Sequence, residues 1–284
     1  MARLLTWGLL SIALAIAPAT VICAGQAQNA FAEGVKHHRA GRFKEAVSAF
    51  SRAIKASPAA AEAYNNRGLA YYKLGQTTNA LKDYNEALRL DPNSSDALLN
   101  RGNAYLAQKE FAQAIKDYDA VIKQVPKMAE AYDQRGRAYA ALDQFERAIQ
   151  DFDRSQKINP KDPAVYYNRG LAYRRLGKHE LAVRDYSAAI ELQPKNGEAY
   201  NNRANAYSLL GKFDQALKDY DAALQLDPRN ARIYANRGMV KLRQGKTDDA
   251  QRDFTRAVEL EPGLKKQIQA VTGDRPSDAG EKQP

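Results

Sequence analysis

Residues 61–94 read AEAYNNRGLAYYKLGQTTNALKDYNEALRLDPNS. Within Ala61–Tyr71, the side chains of Tyr64, Arg67, Gly68 and Tyr71 fall at the spacing of one helical face. Gly75 supplies a turn, and beyond it Ala80, Tyr84, Ala87 and Leu88 repeat at i, i+4, i+7 and i+8, the apolar stripe of a second helix. Pro92 ends that helix, because proline has no N–H to donate and disfavours helical geometry in the residue before it. The stretch is a helical hairpin.

The hairpin recurs. Pro58, Pro92, Pro126, Pro160, Pro194, Pro228 and Pro262 are each 34 residues apart, a period that marks a repeat array. Seven units follow, at 27–60, 61–94, 95–128, 129–162, 163–196, 197–230 and 231–264. Position 8 of the unit reads Gly34, Gly68, Gly102, Gly136, Gly170, Ala204, Gly238; position 20 is always alanine, from Ala46 to Ala250, and position 24 is always Phe or Tyr. One hairpin cannot bury its apolar face alone, so the units must stack. The expected fold is an all-α solenoid of antiparallel helical hairpins.

These units resemble tetratricopeptide (TPR) repeats, whose pattern places small or aromatic residues at positions 4, 8, 11, 20, 24, 27 and 32. The resemblance covers 238 of 284 residues. It departs from the family where Tyr64 or Leu98 stands at position 4 in place of Trp, and where Arg stands at position 7 in place of Leu in six units. It implies a right-handed superhelix with the first (A) helix of each unit lining an inner groove.

The ends differ from the array. Arg3, an apolar run from Leu4 to Ala17, Pro18 and small residues at Ala24-Gly25 describe a secretory signal peptide over residues 1–24, with a retained membrane anchor as the rival reading. The expected location is therefore exported and periplasmic, or anchored by an uncleaved N-terminal segment. Cys23, the sole cysteine, lies inside that segment, so the mature chain needs no disulfide. Residues 265–272 are expected to form a short helix capping the last unit, and residues 273–284, charged and rich in Gly and Pro, a disordered tail. The net charge is +10, or +9 without residues 1–24, whose single charged side chain is Arg3. Such a balance favours acidic partners through long-range steering, or reflects a merely soluble basic chain.

One internal correlation stands out. Arg67, Arg101, Arg135, Arg169, Arg203 and Arg237 at position 7 occur in the six units that also carry Asp83, Asp117, Asp151, Asp185, Asp219 and Asp253 at position 23; unit 1 has neither, carrying Glu33 and Ala49. In a hairpin turning near position 15 the two positions lie at similar height, so each Arg is expected to pair with the Asp of its own or an adjacent unit. As exposed pairs they would contribute only ~0–1 kcal/mol each and serve register. Lys109 and Asp143 replace the turn glycine in units 3 and 4, and the turn at Lys109 is expected to be shaped differently.

The sequence is poor in catalytic signals. His37 and His38 are adjacent and point about 100° apart on a helix, so they do not converge on a metal. No HExxH, phosphate-cradling glycine loop or nucleophile elbow occurs, and the acids are periodic. No enzyme activity, cofactor or metal is expected. The inner face carries more information. Of 16 tyrosines, 14 occupy core positions, leaving Tyr72 and Tyr167, with Phe31 as a third off-core aromatic, either groove anchors or packing residues. Position 6 reads Asn66, Asn100, Gln134, Asn168, Asn202 and Asn236, resembling the amide ladder with which certain TPR grooves hold an extended peptide; a carboxamide both donates and accepts, like a peptide group. The equal alternative is a structural amide crosslinking helices. Lys73, Arg174, Arg175 and Arg243, with Arg39, form a basic row at positions 12 and 13. Asn103 and Asn205 at position 9 lack the position-5 Lys of the family's carboxylate clamp, having Leu99 and Asn201 instead.

The resemblance and the residues together lead to one expected function and one alternative. The first is a non-catalytic adaptor binding an extended segment of a protein partner, acidic segments being suited to the charge, in its concave groove in the cell envelope. The second is a scaffold or assembly factor of an envelope or membrane complex, using convex faces or unit ends. No nucleic acid is expected as a partner, and the oligomeric state is left open.

Overall fold

Helix punctuation builds the architecture. Between residues 19 and 273, the stretch that the computed structural model describes, fifteen α-helices follow one another with no strand among the described residues. The chain divides into two compact bodies, residues up to Glu110 and residues from Phe111 onward. The first holds α1 (Ala19–Arg39), α2 (Phe43–Ala56), α3 (Ala61–Lys73), α4 (Thr77–Leu90) and α5 (Ser95–Ala107). The second holds α6 (Phe111–Gln124), α7 (Ala129–Ala141), α8 (Phe145–Ile158), α9 (Pro163–Arg175), α10 (His179–Leu192), α11 (Gly197–Leu209), α12 (Phe213–Leu226), α13 (Ala231–Arg243), α14 (Thr247–Leu260) and α15 (Leu264–Thr272). Residues 1–18 of the expected signal segment and residues 274–284 of the expected tail lie outside the described residues. No helix among the described residues is long and apolar enough to cross a membrane.

The turns inside the hairpins share one geometry. After α3, Gly75 has φ +74°, its N–H bonds the Tyr72 carbonyl at 2.9 Å, and the Gln76 N–H bonds the Tyr71 carbonyl at 2.9 Å. This paired closure needs a left-handed residue, which glycine supplies without steric cost. Lys109 (φ 62°) and Asp143 (φ 57°) adopt the same conformation, and the bonds recur from Glu110 to Tyr105 and from Gln144 to Tyr139, each 2.9 Å. The turn at Lys109 is therefore not reshaped as the sequence suggested. Helix-capping hydrogen bonds outweigh the left-handed penalty of a non-glycine residue.

Inside each hairpin the core is made by small residues admitting large ones. The position-20 alanines are 0–1% exposed, and the rings of Phe50, Tyr84, Tyr118, Phe152, Tyr186 and Tyr220 are fully buried beside them. Glycine at position 8 of the fifth repeat allows close approach, since a Cβ on Gly170 would stand 2.8 Å from the Tyr186 ring, whereas the sixth repeat accommodates the methyl of Ala204 in the core with Tyr220. Where the position-24 residue is Tyr, its hydroxyl is carried into the core, and its surroundings differ from hairpin to hairpin. The Tyr220 hydroxyl donates to Asn205 Oδ1 at 2.6 Å. In the hairpin with Leu69 at position 9 the Tyr84 hydroxyl is buried without a hydrogen-bond partner, and in the hairpin with Leu171 the Tyr186 hydroxyl has the Arg174 side chain beside it.

The Arg–Asp correlation is a contact. Arg67, Arg135, Arg169, Arg203 and Arg237 each grip the position-23 Asp of their own repeat with two parallel hydrogen bonds, Nε to Oδ2 and Nη2 to Oδ1, at 2.6–2.8 Å. These pairs are not exposed, as the sequence reading had supposed: the aspartate side chains are 5–7% accessible and the arginines 13–20%. The third guanidinium nitrogen, Nη1, reaches position 25 of the preceding repeat. It donates to Ser51, Asn85, Asp119, Asp153, Ser187 and Asp221 from Arg67, Arg101, Arg135, Arg169, Arg203 and Arg237 respectively, at 2.5–3.1 Å. Tyrosines at positions 4 and 11 flank the guanidinium, as Tyr200 and Tyr207 do Arg203 at 5.6 and 5.9 Å. In the first repeat, Glu33 pairs instead with Arg52 at 2.5 Å.

Breaking one buried pair strands the other charge. Arg203→Met is expected to cost about 3–5 kcal/mol of stability in urea, because it leaves Asp219 buried without its cation, whereas Arg203→Met combined with Asp219→Leu recovers most of the loss. Tyr220→Phe, which removes the donor to Asn205, is expected to cost about 1 kcal/mol, and Tyr84→Phe to be neutral or stabilising, because its hydroxyl is buried unpaired. The same denaturation series reads the opposite signs.

Candidate functional site

The A helices within each body approach their like neighbours, α1 to α3 to α5 in the first and α7 to α9 to α11 to α13 in the second, whereas the outer B helices contact chiefly the A helices on either side of them. The A-helix faces therefore form the inner surface of each body, and on them position 6 of one repeat meets position 5 of the repeat before.

In the first body, Asn100 Nδ2 donates to Oδ1 of the buried Asn65 at 3.0 Å, and Asn66 Nδ2 bonds back to the Glu62 carbonyl of its own helix at 2.9 Å. Tyr72 is half-buried against a core cluster of Ala80, Tyr84 and Ala104, Phe31 packs on Phe50 with ring centroids 5.5 Å apart, and Lys73 is exposed. In the second body, Asn168 Nδ2 donates to Asp133 Oδ1 at 3.3 Å and Asn202 Nδ2 to the Tyr167 hydroxyl at 3.0 Å. Gln134 Nε2 stands 3.5 Å from Asp133 Oδ2, and its Oε1 accepts from Arg137 at 2.9 Å. Tyr167 in turn donates to Glu198 Oε2 at 3.1 Å. Asn236 is half-buried on α13, with Arg243 exposed at the end of that helix.

Burial tunes these groups. Desolvation pushes the Asp133 carboxyl above the usual carboxylate range, with the Asn168 hydrogen bond opposing it. Desolvation followed by the Glu198 charge pushes the Tyr167 hydroxyl up to about 12. The Tyr167 hydroxyl therefore acts as a fixed hydrogen-bonding group rather than as a proton carrier at neutral pH. No group of three His, Cys, Asp or Glu able to hold a metal occurs among the described residues.

The row of amides is thus a set of crosslinks and a polar surface at once. In Asn100, Asn168 and Asn202 one N–H is used between repeats, which immobilises the side chain and leaves its carbonyl oxygen and second N–H for another group. Sequence reading missed the position-5 partners Asn65, Asp133 and Tyr167, because that position is chemically irregular from repeat to repeat. The signal was the recurrent 35-residue offset between a polar position 5 and the next position 6. Asn205, weighed from the sequence as a groove residue, instead serves the core through Tyr220. Of the basic row, Arg175 pairs with Asp143 at 2.8 Å and lies over the Phe145 ring at 4.8 Å, while Arg174 is half-buried beside the Tyr167 and Tyr186 rings.

This geometry, with paired helices every 34 residues, is matched by known proteins. Family models described as tetratricopeptide repeat match residues 61–94, 163–196 and 197–230, residues 99–163 and residues 219–252, and one described as TPR repeat matches residues 36–75. No curated protein matches the chain significantly. Among solved structures, a tetratricopeptide repeat protein from Parabacteroides merdae is similar at 24% identity and TM-score 0.64, over 87% of this chain and 99% of that one. MamA is similar at 28% identity and TM-score 0.55, over 61% of this chain and 94% of that one. YrrB, described as a TPR protein with an unusual peptide-binding site, is similar at 22% identity and TM-score 0.57, over 70% of this chain and 99% of that one. The chain, an all-α solenoid of stacked helical hairpins, belongs to the tetratricopeptide repeat family.

Proposed function

We propose that the protein is a non-catalytic interaction adaptor that binds an extended segment of a partner protein along its A-helix faces, after export to the cell envelope. The observation that carries the reading is the immobilised row formed by Asn100 with Asn65, Asn168 with Asp133, and Asn202 with Tyr167. Groups held in place before the ligand arrives lose little freedom on binding, so the remaining donor and acceptor of each amide are available at low entropic cost. Each hydrogen bond contributes only ~0.5–1.5 kcal/mol net, so several repeats must engage one segment together to reach micromolar affinity. A segment that follows the row must be extended, because successive amides belong to successive repeats. Export rests on Arg3 and the apolar run that follows it. The scaffold alternative draws on Leu181 and Leu192, apolar side chains left exposed on the outer helix α10.

The test is selection of a displayed random-peptide library against the full chain, followed by affinity measurement with an Asn168→Ala, Asn202→Ala, Asn236→Ala variant whose helicity matches the parent. Selected peptides are expected to bind that variant at least about tenfold more weakly, the effect of losing one or two net hydrogen bonds. Equal binding by the variant, with loss on Leu181→Lys, would transfer the site to the outer face. For export, the chain recovered from its host is expected in the envelope fraction and beginning near Gly25; recovery from the cytosol with Met1 or Ala2 at its start would overturn that part.

A further inference from the structure

Position 9 is Arg in repeat 4 alone and position 12 is Arg in repeat 5 alone, and both departures from the repeat pattern meet in one place. Arg137 of α7 and Arg174 of α9 line a cleft of about 310 Å3 in the second body, with Phe145 of α8, Leu171 and Asn168 between them. Ala140, the position-12 residue of repeat 4, leaves the space open.

The charges around this cleft are unbalanced. Arg135, Arg169, Arg203 and Arg237 are each paired with a buried aspartate, and Arg175 with Asp143. Arg137 donates only to the neutral Gln134, and Arg174 forms no ion pair with another described residue. Among the described residues, the only group that Arg174 is placed to engage is the neutral Tyr186 hydroxyl buried beside it. Two carboxylates lie nearby. Asp133 is buried behind Asn168, which donates to it, and feels the Arg137 charge; Glu198 is held by Tyr167. Neither forms a salt bridge with either arginine. Both guanidinium charges are thus met by neutral groups alone, and a carboxylate is the group whose two oxygens fit the guanidinium fork. The half-buried Phe145 and Leu171 supply an apolar wall beside it.

We propose that this cleft is a carboxylate subsite of the groove: Arg137 and Arg174 hold a carboxylate of the bound segment, and Phe145 with Leu171 takes the apolar group next to it. The inference rests on the groove reading above and adds its ligand chemistry. The carboxylate has two sources, an Asp or Glu side chain within the segment or the free end of a chain closing on an apolar residue. Both place an anion next to a hydrocarbon, and Arg175, fixed across the Phe145 ring, borders the same cleft.

Two arrays of N-acetylated decapeptides, probed with the full chain, test this. In one, C-termini are amidated and internal Glu is compared with Gln; in the other, peptides ending in Leu or Phe carry a free acid or an amide and contain no Asp or Glu. The parent is expected to favour the acid over its neutral counterpart by about tenfold in one array, which identifies the source. The preference is expected to vanish in Arg137→Gln/Arg174→Gln while neutral peptides bind as before. Arg137→Gln alone, at an exposed side chain, keeps the fold and should show a partial loss. Peptide binding with no preference for acids, or a preference unchanged by the double variant, would overturn the subsite and leave the groove reading standing. Absence of any peptide binding would overturn both.

Discussion

The bidentate Arg–Asp fork between positions 7 and 23 is the constraint on which the rest of the structure depends. A planar guanidinium presents five donors in fixed directions, so satisfying two of them on the hairpin's own aspartate aims a third along the array. That third donor meets position 25 of the preceding repeat. One side chain thus ties helix A to helix B and ties the hairpin to its predecessor. The flanking tyrosine rings shield the pair and supply apolar surface on both sides. Apolar packing between small alanines and large rings provides the attraction between helices; the fork provides the register that apolar packing alone leaves loose.

Register in turn places the inner-surface chemistry. Once successive A helices are held at one height, position 6 of one comes against position 5 of the last, and polar side chains at those positions meet in three places. Asn100 finds Asn65, Asn168 finds Asp133 and Asn202 finds Tyr167 by the same geometry with different chemistry. The backbone is periodic and the surface it displays is not. The few positions where the period is broken give each repeat its own chemistry, Arg137 and Arg174 among them.

The fold was legible from the chain because its determinants are themselves periodic: Pro92 and its six counterparts, the position-20 alanines and the position-24 rings mark every helix boundary and every core contact. The Arg–Asp contact was legible through its absence from the first repeat. What escaped was long-range in one of two ways. The link to position 25 is occupied by Ser51, Asn85, Asp119, Asp153, Ser187 or Asp221, a set without a common side chain, so it has no sequence signature. The burial of the forks was underestimated because charged residues read as surface, whereas the flanking tyrosines cover them. Lys109 was misjudged for a third reason: hydrogen bonds closing a helix set the backbone conformation more firmly than the preference of one residue opposes it.

The fork carries a direction. Each arginine brings its own aspartate and reaches back for a second acceptor, and that acceptor is satisfied by a hydroxyl, an amide or a carboxylate alike. A hairpin copied by gene duplication and inserted after any other would therefore find its contact ready-made, with no compensating change required in its neighbour. The chemistry that fixes register also makes the repeats interchangeable, so an array of this kind can lengthen by whole 34-residue steps while its inner surface diversifies one residue at a time.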